Sequence, residues 1–429
     1  MMNSAHAECS RAGLECNREP AGGGQDRIAL GEALTAGDLK RIEQELNLNY
    51  AKWDTRVGGG QVLSAQPVLL RADEWKRLCG WAEAAARELL AIEREIALNE
   101  AMQELIGVPR KLRRFLSGGE AAEGFRTFRF DFHPTTTGWA ISEVNSDVPG
   151  GFGEASVLPG LYGVSAGALP LPFDPLKRWG DAVEARIRGG TAALLCAPGF
   201  LEDQQVVRTL ARELRERGFK VHLIQSPFAL RWKNGCASLR GDSGVPLDLL
   251  VRFYQVEWLS ELPGWMGWKK ILGACGRTVV TNSAIAAITE SKRLGLCAKR
   301  LTTRSETLQR LMPECREPAE ISGMPKDDWV LKAAYSNTGD EVYLGSHASV
   351  DGWAQLIAKA KRNPRGWVAQ RRFETTALRS TSGEVKPCVG VFVIGGQAAG
   401  AYVRLSRMQV TDGDALEAPL FLMQTEEDG

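Results

Sequence analysis

Two short strand-like runs, Thr127 to Phe132 and Trp139 to Asn145, carry Arg129, Asp131, Glu143 and Asn145. The connecting His133-Pro134-Thr135-Thr136-Thr137-Gly138 is turn chemistry, so the pair reads as a hairpin whose side chains alternate between two faces. Phe128, Phe130 and Phe132 then share one face, joined by Ala140 and Val144 if the register keeps parity, and the four polar residues share the other. Two carboxylates, an amide oxygen and a guanidinium make a poor structural patch, because like charges repel and exposed ion pairs gain little. They make a good cation site. Magnesium prefers a few hard oxygen ligands with room left for phosphate and water, and a neighbouring arginine can hold the anion the metal polarises. The competing reading is a solvated strand face with ordinary ion pairs. Beyond Asn145, the run Ser146-Asp147-Val148-Pro149-Gly150-Gly151-Phe152-Gly153-Glu154 is a glycine-rich strand exit, which favours a ligand-lining loop.

The rest of the chain must supply a frame for that hairpin. With 429 residues, 44% apolar and 24% charged, it is long enough for a large core or two to three lobes. Lysine plus arginine number 53 against 52 acids, so no global field favours nucleic acid or an anionic membrane as partner. Neither the first 30 residues nor any later segment holds an apolar run of membrane-spanning length, and the expected location is the cytoplasm. Nine cysteines without a C-x-x-C pair read as reduced thiols, and four histidines, none spaced near cysteine ligands, argue against a zinc site.

Residues 1 to about 36 read as an untethered tail, and Leu34-Thr35-Ala36-Gly37-Asp38 as a helix start. The clearest helix runs from Ala72 to about Leu98, with Trp75, Leu78, Trp81, Ala85, Leu89, Ile92 and Ile96 at helical spacing. Strand Ala192–Cys196, helix Glu202–Arg217 closed by Gly218, and strand Phe219–Gln225 form a βαβ unit. Strands Leu247–Phe253 and Thr278–Thr281 follow, the second feeding a helix-like Ser283–Leu296 that contains Lys292. The last third holds strands Trp329–Ala333, Glu341–Leu344 and Trp367–Phe373, a helix Val350–Lys361, and a final strand pair, Val389–Ile394 and Ala399–Leu405, around Gly395-Gly396.

Lys332 sits inside a strand, where an unpaired buried ammonium would be costly, so it needs an anionic partner. Behind it the small polar loop Tyr335-Ser336-Asn337-Thr338-Gly339-Asp340-Glu341 is backbone able to fold over phosphates, Gly339 included. Arg404 repeats the pattern on the last strand. The plain alternative is a snorkelling lysine beside an ordinary hairpin loop.

These runs together resemble the ligase domain of glutathionylspermidine synthases and the wider circularly permuted ATP-grasp proteins. The resemblance rests on Arg129-Phe130-Asp131 with Glu143-x-Asn145, then Arg252-Phe253-Tyr254-x-x-Glu257-Trp258, Asn282 to Lys292, Val330-Leu331-Lys332-x-x-Tyr335, Val368-Ala369-Gln370, and Gly396-Gln397-Ala398-Ala399-Gly400 leading to Arg404, in order over about residues 125 to 410. It implies an α/β (α+β) fold: an ATP-grasp-type β-rich core with an inserted βαβ subdomain and N-terminal helices. The implied organisation is a tail (1–36), a helical region (37–124), the metal-binding hairpin and loop (125–160), the inserted pre-ATP-grasp-like subdomain (161–282) and the nucleotide-binding lobes (283–429). By position, Asp131, Glu143 and Asn145 would hold Mg2+, and Arg129 would stabilise the transferring phosphoryl group. Lys292, Lys332, Gly339, Gln370 and Arg404 would contact ATP, while Ser146, Glu154 and Glu257 are substrate-side candidates, Glu154 for a cationic amine. Asp340 and Glu341 depart from the family's more basic, glycine-richer loop. No catalytic-style cysteine and histidine precede residue 125, so amide hydrolysis is not expected.

The implied activity is ATP-dependent ligation of a small-molecule carboxylate, an amino acid or short peptide, to an amine through an acyl phosphate. The alternatives are a nucleotide-binding scaffold that keeps the fold without ligation, and a kinase that phosphorylates one small molecule. Gly163-Val164-Ser165-Ala166-Gly167 fits a nucleophile-elbow pattern but lacks a preceding strand and reads as a loop, and no phosphate-loop motif of the G-x-x-x-x-G-K-S/T type occurs.

Overall fold

Alternating phenylalanines and polar residues give the Thr127–Thr135 strand one oily and one charged face, and that strand lies inside a six-stranded sheet. The computed structural model describes residues 27–57, 60–116, 126–163, 168–241, 244–273, 276–336, 341–411 and 413–424. Gly138–Asn145, Thr127–Thr135, Gly383–Ile394, Gln397–Ser406 and Leu416–Ala418 pair in that order, all antiparallel, and Leu378–Ser380 adds to the third of them. The register sets Arg129 opposite Asn145 and Asp131 opposite Glu143. Parity then breaks at a bulge: Phe132 faces Ile141, and His133 faces Ala140. Ile141, not Ala140, therefore joins Val144 and the three phenylalanines on the apolar face. Ser142 is the extra residue, left to turn its carbonyl toward the polar side.

The apolar face lies in the same hydrophobic core as the long helix Ala72–Ala97, whose buried stripe runs Trp75, Leu78, Ala82, Ala85, Leu89, Ile92 and Ile96. Trp81 falls off this stripe. It is half-buried between the Arg77 and Arg310 guanidiniums, 6.0 and 5.0 Å from its ring. Two acids on the helix are tied to the hairpin: Glu74 accepts from Trp139 Nε1 at 2.7 Å, and Glu93 holds Arg126 in a fork at 2.7 and 3.1 Å.

The expected βαβ unit is present as Thr191–Cys196, Leu201–Glu216 and Lys220–Ile224, with Gly218 at φ 82 closing the helix. Leu249–Phe253 and Val279–Thr281 extend the same sheet in parallel. A second antiparallel sheet, Cys315–Arg316, Trp367–Arg371, Trp329–Ala333 and Val342–Leu344, carries Lys332 and Gln370. The helix start at Thr35 holds, because its Oγ1 accepts from Asp38 N at 3.1 Å.

Two expectations are corrected. Residues 28–30 do not belong to an untethered tail, since Ile28–Leu30 pairs with Val68–Leu70, which in turn pairs with Leu420–Met423. Ser283–Leu296 is not one helix. Ala286–Glu290 stops at Ser291, whose hydroxyl donates to Ile106 O at 2.6 Å, and a 3-10 turn, Leu294–Cys297, follows. Lys292 sits at the break, with its N–H on Ala334 O at 2.9 Å.

The strand exit after Asn145 is locked by buried charge. Asp147 is forked by the fully buried Arg252, one arm at 3.1 Å, and accepts from Val256 N at 2.8 Å. Arg252 also donates to Asn282 O at 3.1 and 2.9 Å, and Asn282 Nδ2 bonds Asp147 O. Asp147→Ala would leave a buried guanidinium without its counter-charge, and a loss of about 3–5 kcal/mol in urea unfolding is expected. A loss below about 1 kcal/mol would show that this junction does not hold the loop.

Candidate active site

The polar face of the hairpin, the Lys332 strand and Arg404 meet at one cavity. Asp131 lies at its floor, 2% exposed. Arg129 grips it with Nε at 2.9 Å and Nη2 at 3.1 Å, Arg404 Nη2 reaches the second oxygen at 2.6 Å, and Asn145 Nδ2 lies 3.3 Å from that oxygen. Burial by itself would raise the Asp131 carboxyl, but the two guanidiniums outweigh it and hold the group well below the usual carboxylate range. The Tyr402 ring lies near both arginines, 5.5 and 5.9 Å from their guanidinium carbons.

Across the register, Glu143 Oε1 is 2.9 Å from Lys292 Nζ, which also donates to Ser336 O at 2.6 Å. Burial raises the Glu143 carboxyl, and Lys292 more than reverses it. Lys332 Nζ donates to the bulge carbonyl of Ser142 at 3.0 Å. Its pKa is lowered, by burial first and by the charge of Lys292 as well, against the pull of Glu143. Gln370 lies opposite Val330 on the neighbouring strand and lines the same cavity. The structure thus brings together Arg129, Asp131, Glu143, Asn145, Lys332, Gln370 and Arg404, with Lys292 reaching them through Glu143. Gly339 lies outside the described residues.

The substrate-side candidates part company. Ser146 is fully buried, its N–H on Glu290 Oε2 at 2.7 Å and its hydroxyl between Ala286 O and Thr289 Oγ1, so it belongs to the strand-exit junction and not to the cavity. Glu257 begins the short helix Val256–Glu261 and lines neither cavity described here; burial, with the charge of Asp147, pushes its carboxyl up to about 8. Glu154 lines a second cavity that shares Arg129, Asn145 and Arg404 with the first. It lies in the first turn of Phe152–Tyr162, a helix where the sequence reads as loop, and pairs with Lys52 Nζ at 2.8 Å.

Several contributors are absent from the reading of the sequence. Gly390 pairs with Asp131, and a Cβ there would stand 3.1 Å from Arg129 Cδ and 3.3 Å from Asp131 Oδ1. A glycine among valines inside a strand was the available signal for such a close approach. Gly151, at φ 92, gives way to the Tyr402 ring, which a Cβ would meet at 2.4 Å. Lys52 carries no local signal at all.

Among the described residues no group of three or more His, Cys, Asp or Glu is placed to hold a metal. The donors available are the Asp131 and Glu143 carboxylates and the Asn145 amide oxygen, a hard-oxygen set that fits magnesium when phosphate oxygens and water complete the shell. The cations Arg129, Arg404 and Lys292 lie within reach of the same oxygens, where an anionic phosphate would draw them.

His133 at the edge of the site sets an acid limit. Burial first, then Arg404 and Lys332, lowers its pKa from 6.5 to about 4. An unfolded chain takes up a proton below pH 6.5 that the folded residue refuses until about pH 4, so stability falls as pH drops through that window and levels off below it. Full passage is worth about 3 kcal/mol, and His133→Gln is expected to remove most of that pH dependence in denaturant titrations at pH 7 and 4.5. Equal losses in both proteins would place the acid sensitivity elsewhere.

Comparison with protein-family models finds glutathionylspermidine synthase preATP-grasp matching residues 44–422. The chain belongs to this family. The glutathionylspermidine synthase preATP-grasp family is one of ATP-dependent ligases, and the fold is of the ATP-grasp type. Among solved structures, a glutathione synthetase-like effector from Globodera pallida superposes with a TM-score of 0.60 at 13% identity, over 91% of this chain and 100% of that one. A protein described as a gamma-glutamylcysteine synthetase from Methylobacillus flagellatus gives a TM-score of 0.43 at 13% identity, over 78% and 86% of the two chains. D-alanyl-alanine synthetase A from Vibrio cholerae gives 0.31 at 13% identity, over 51% and 67%. No curated protein matches in sequence. No described helix of this family member is long and apolar enough to cross a membrane.

Proposed function

We propose that this protein is an ATP-dependent carboxylate-amine ligase that makes an amide through an acyl phosphate. The observation that carries the reading is Asp131, on the floor of the first cavity, paired across the hairpin with Glu143 and gripped by Arg129 and Arg404, which line both cavities. One cavity offers Lys332 and Gln370 to a nucleotide; the other offers acids to a cationic substrate. Magnesium held by Asp131, Glu143 and Asn145 would neutralise phosphate charge and fix its geometry.

The chain's own residues supply the rest. Lys332 and Lys292 place positive charge where the phosphates lie, and Gln370 offers amide donors and acceptors to the base. Arg129 faces both cavities, so one guanidinium can hold the acid's carboxylate as it attacks the terminal phosphate and then stabilise the acyl phosphate. Arg404, from the neighbouring strand, balances charge on the transferring group. The amine enters from the acidic cavity, gives up its ammonium proton to a carboxylate there and attacks the acyl carbon; the C–O bond to phosphate breaks, and phosphate departs with the second nitrogen proton. No side-chain nucleophile is needed.

The scaffold alternative drew its support from the two acids in the phosphate loop. One of them, Glu341, pairs with Lys359 at 3.6 Å and does not line the first cavity. The test is magnesium-dependent release of ADP and phosphate across a panel of amino acids and peptides, each with and without amines. Release requiring both an acid and an amine is expected, with a product lighter by one water than their sum. Release with an acid alone would favour a kinase, and ATP binding without release would favour the scaffold.

A further inference from the structure

The second cavity, about 180 Å³, has two unlike walls. On the inner wall Lys52 Nζ lies 2.8 Å from Asp54, 2.8 Å from Glu154 and 3.0 Å from Glu417, so these three carboxylates already enclose an ammonium. On the outer wall Glu202 and Asp203 open the helix Leu201–Glu216, and among the described residues neither forms an ion pair. Asp203 accepts a long bond, 3.4 Å, from Gln255 Nε2. Gln255 is 7% exposed and lines the cavity, and its Oε1 accepts no hydrogen bond among the described residues. A buried amide oxygen without a donor is a standing cost that a bound N–H group would relieve. Glu202 and Asp203, neither in an ion pair among the described residues, stand beside that oxygen and ask for the same thing: a cationic donor. In keeping with this, burial pushes the Asp203 carboxyl up to about 6.

Apolar side chains adjoin these polar residues along the chain. Phe200 and Leu201, 48% and 43% exposed, directly precede Glu202. The Phe200 ring lies 4.8 Å from that of Trp258, three residues beyond Gln255. Such surface gains by burial only when a ligand with an apolar body covers it.

We infer that the amine substrate is a primary ammonium on an apolar, ring-bearing body, the ammonium held by Glu202, Asp203 and Gln255 Oε1 and the body lying against Phe200 and Trp258. This assignment rests on the ligase reading above.

The experiment is calorimetric binding of 2-phenylethylamine, n-butylamine and spermidine to the full chain, followed by the same amines in the ADP-release assay. Expected is 2-phenylethylamine binding at least about tenfold more tightly than n-butylamine, which carries the ammonium without the ring. Phe200→Ala should weaken 2-phenylethylamine about tenfold with little effect on n-butylamine, and Asp203→Asn should weaken both. Both side chains are at least partly exposed, and circular dichroism confirms that the variants fold. Binding of n-butylamine as tight as that of 2-phenylethylamine, or affinities unmoved by either variant, would overturn the assignment. Binding that responds to both variants without any amine-dependent turnover would uphold the site and sink the ligase reading instead. Turnover with spermidine while 2-phenylethylamine stays inert would do the reverse.

Discussion

Arg129→Ala is expected to lower turnover by about 10²- to 10³-fold while the protein keeps its fold. The size follows from position: this guanidinium lines both cavities, so it is the group on hand where phosphoryl and acyl groups meet. The tolerance follows from redundancy. With Arg129 gone, Asp131 loses the fork at 2.9 and 3.1 Å but still has Arg404 at 2.6 Å, so no buried carboxylate is left alone, and Gly150 O loses its bond at 3.0 Å. Arg129→Lys keeps the charge but loses the fork on Asp131, and should fall between wild type and alanine. Thermal unfolding together with ADP release separates the two effects. Activity within threefold of wild type in a folded alanine variant would remove Arg129 from the chemistry.

Asp131→Asn should raise the magnesium concentration for half-maximal rate at least about tenfold. The substitution keeps shape and removes charge, leaving two guanidiniums around a neutral amide. Those cations would still attract free nucleotide, so nucleotide binding without metal should hold or tighten while metal-dependent turnover collapses. Since its pKa is lowered, wild-type Asp131 stays ionised even below the usual carboxylate range, so this residue contributes no change in the metal requirement between about pH 6 and 8. The check is a magnesium titration of ADP release at fixed ATP, paired with calorimetry of nucleotide binding in the presence of a chelator. An unchanged titration would move the metal to other ligands.

The parts of this site that depend on strand alternation were legible in the sequence. Arg129, Asp131, Glu143 and Asn145 sit on one face because side chains alternate in a hairpin, and no distant contact is needed to see it. Lys332 and Arg404 were visible because a charge inside an apolar strand requires a partner, though that partner proved to be a bulge carbonyl for one and Asp131 for the other. What alternation could not show was the bulge itself. One extra residue, Ser142, exchanges Ala140 for Ile141 in the core and supplies the lysine's acceptor.

Long-range partnerships were hidden for the same reason. Ser146 reads as a loop hydroxyl until Glu290, 144 residues away, caps its N–H. Lys52 joins Glu417 across 365 residues, and nothing near either residue announces the other. The break at Ser291 depended on Ile106 O, a tertiary acceptor that turned a helix-like run into two short turns. Local propensity yields to such contacts wherever a buried polar group gains a partner by leaving the helix.

The measurement that reaches the central claim most directly is isotope transfer. An acid substrate found by the panel, labelled with ¹⁸O in its carboxylate, is turned over with ATP, magnesium and amine, and the phosphate released is weighed by mass spectrometry. An acyl phosphate requires one ¹⁸O to pass from the carboxylate to phosphate with each amide formed. Amide formation with unlabelled phosphate would contradict that route, and with it the role assigned to Arg129 between the two cavities.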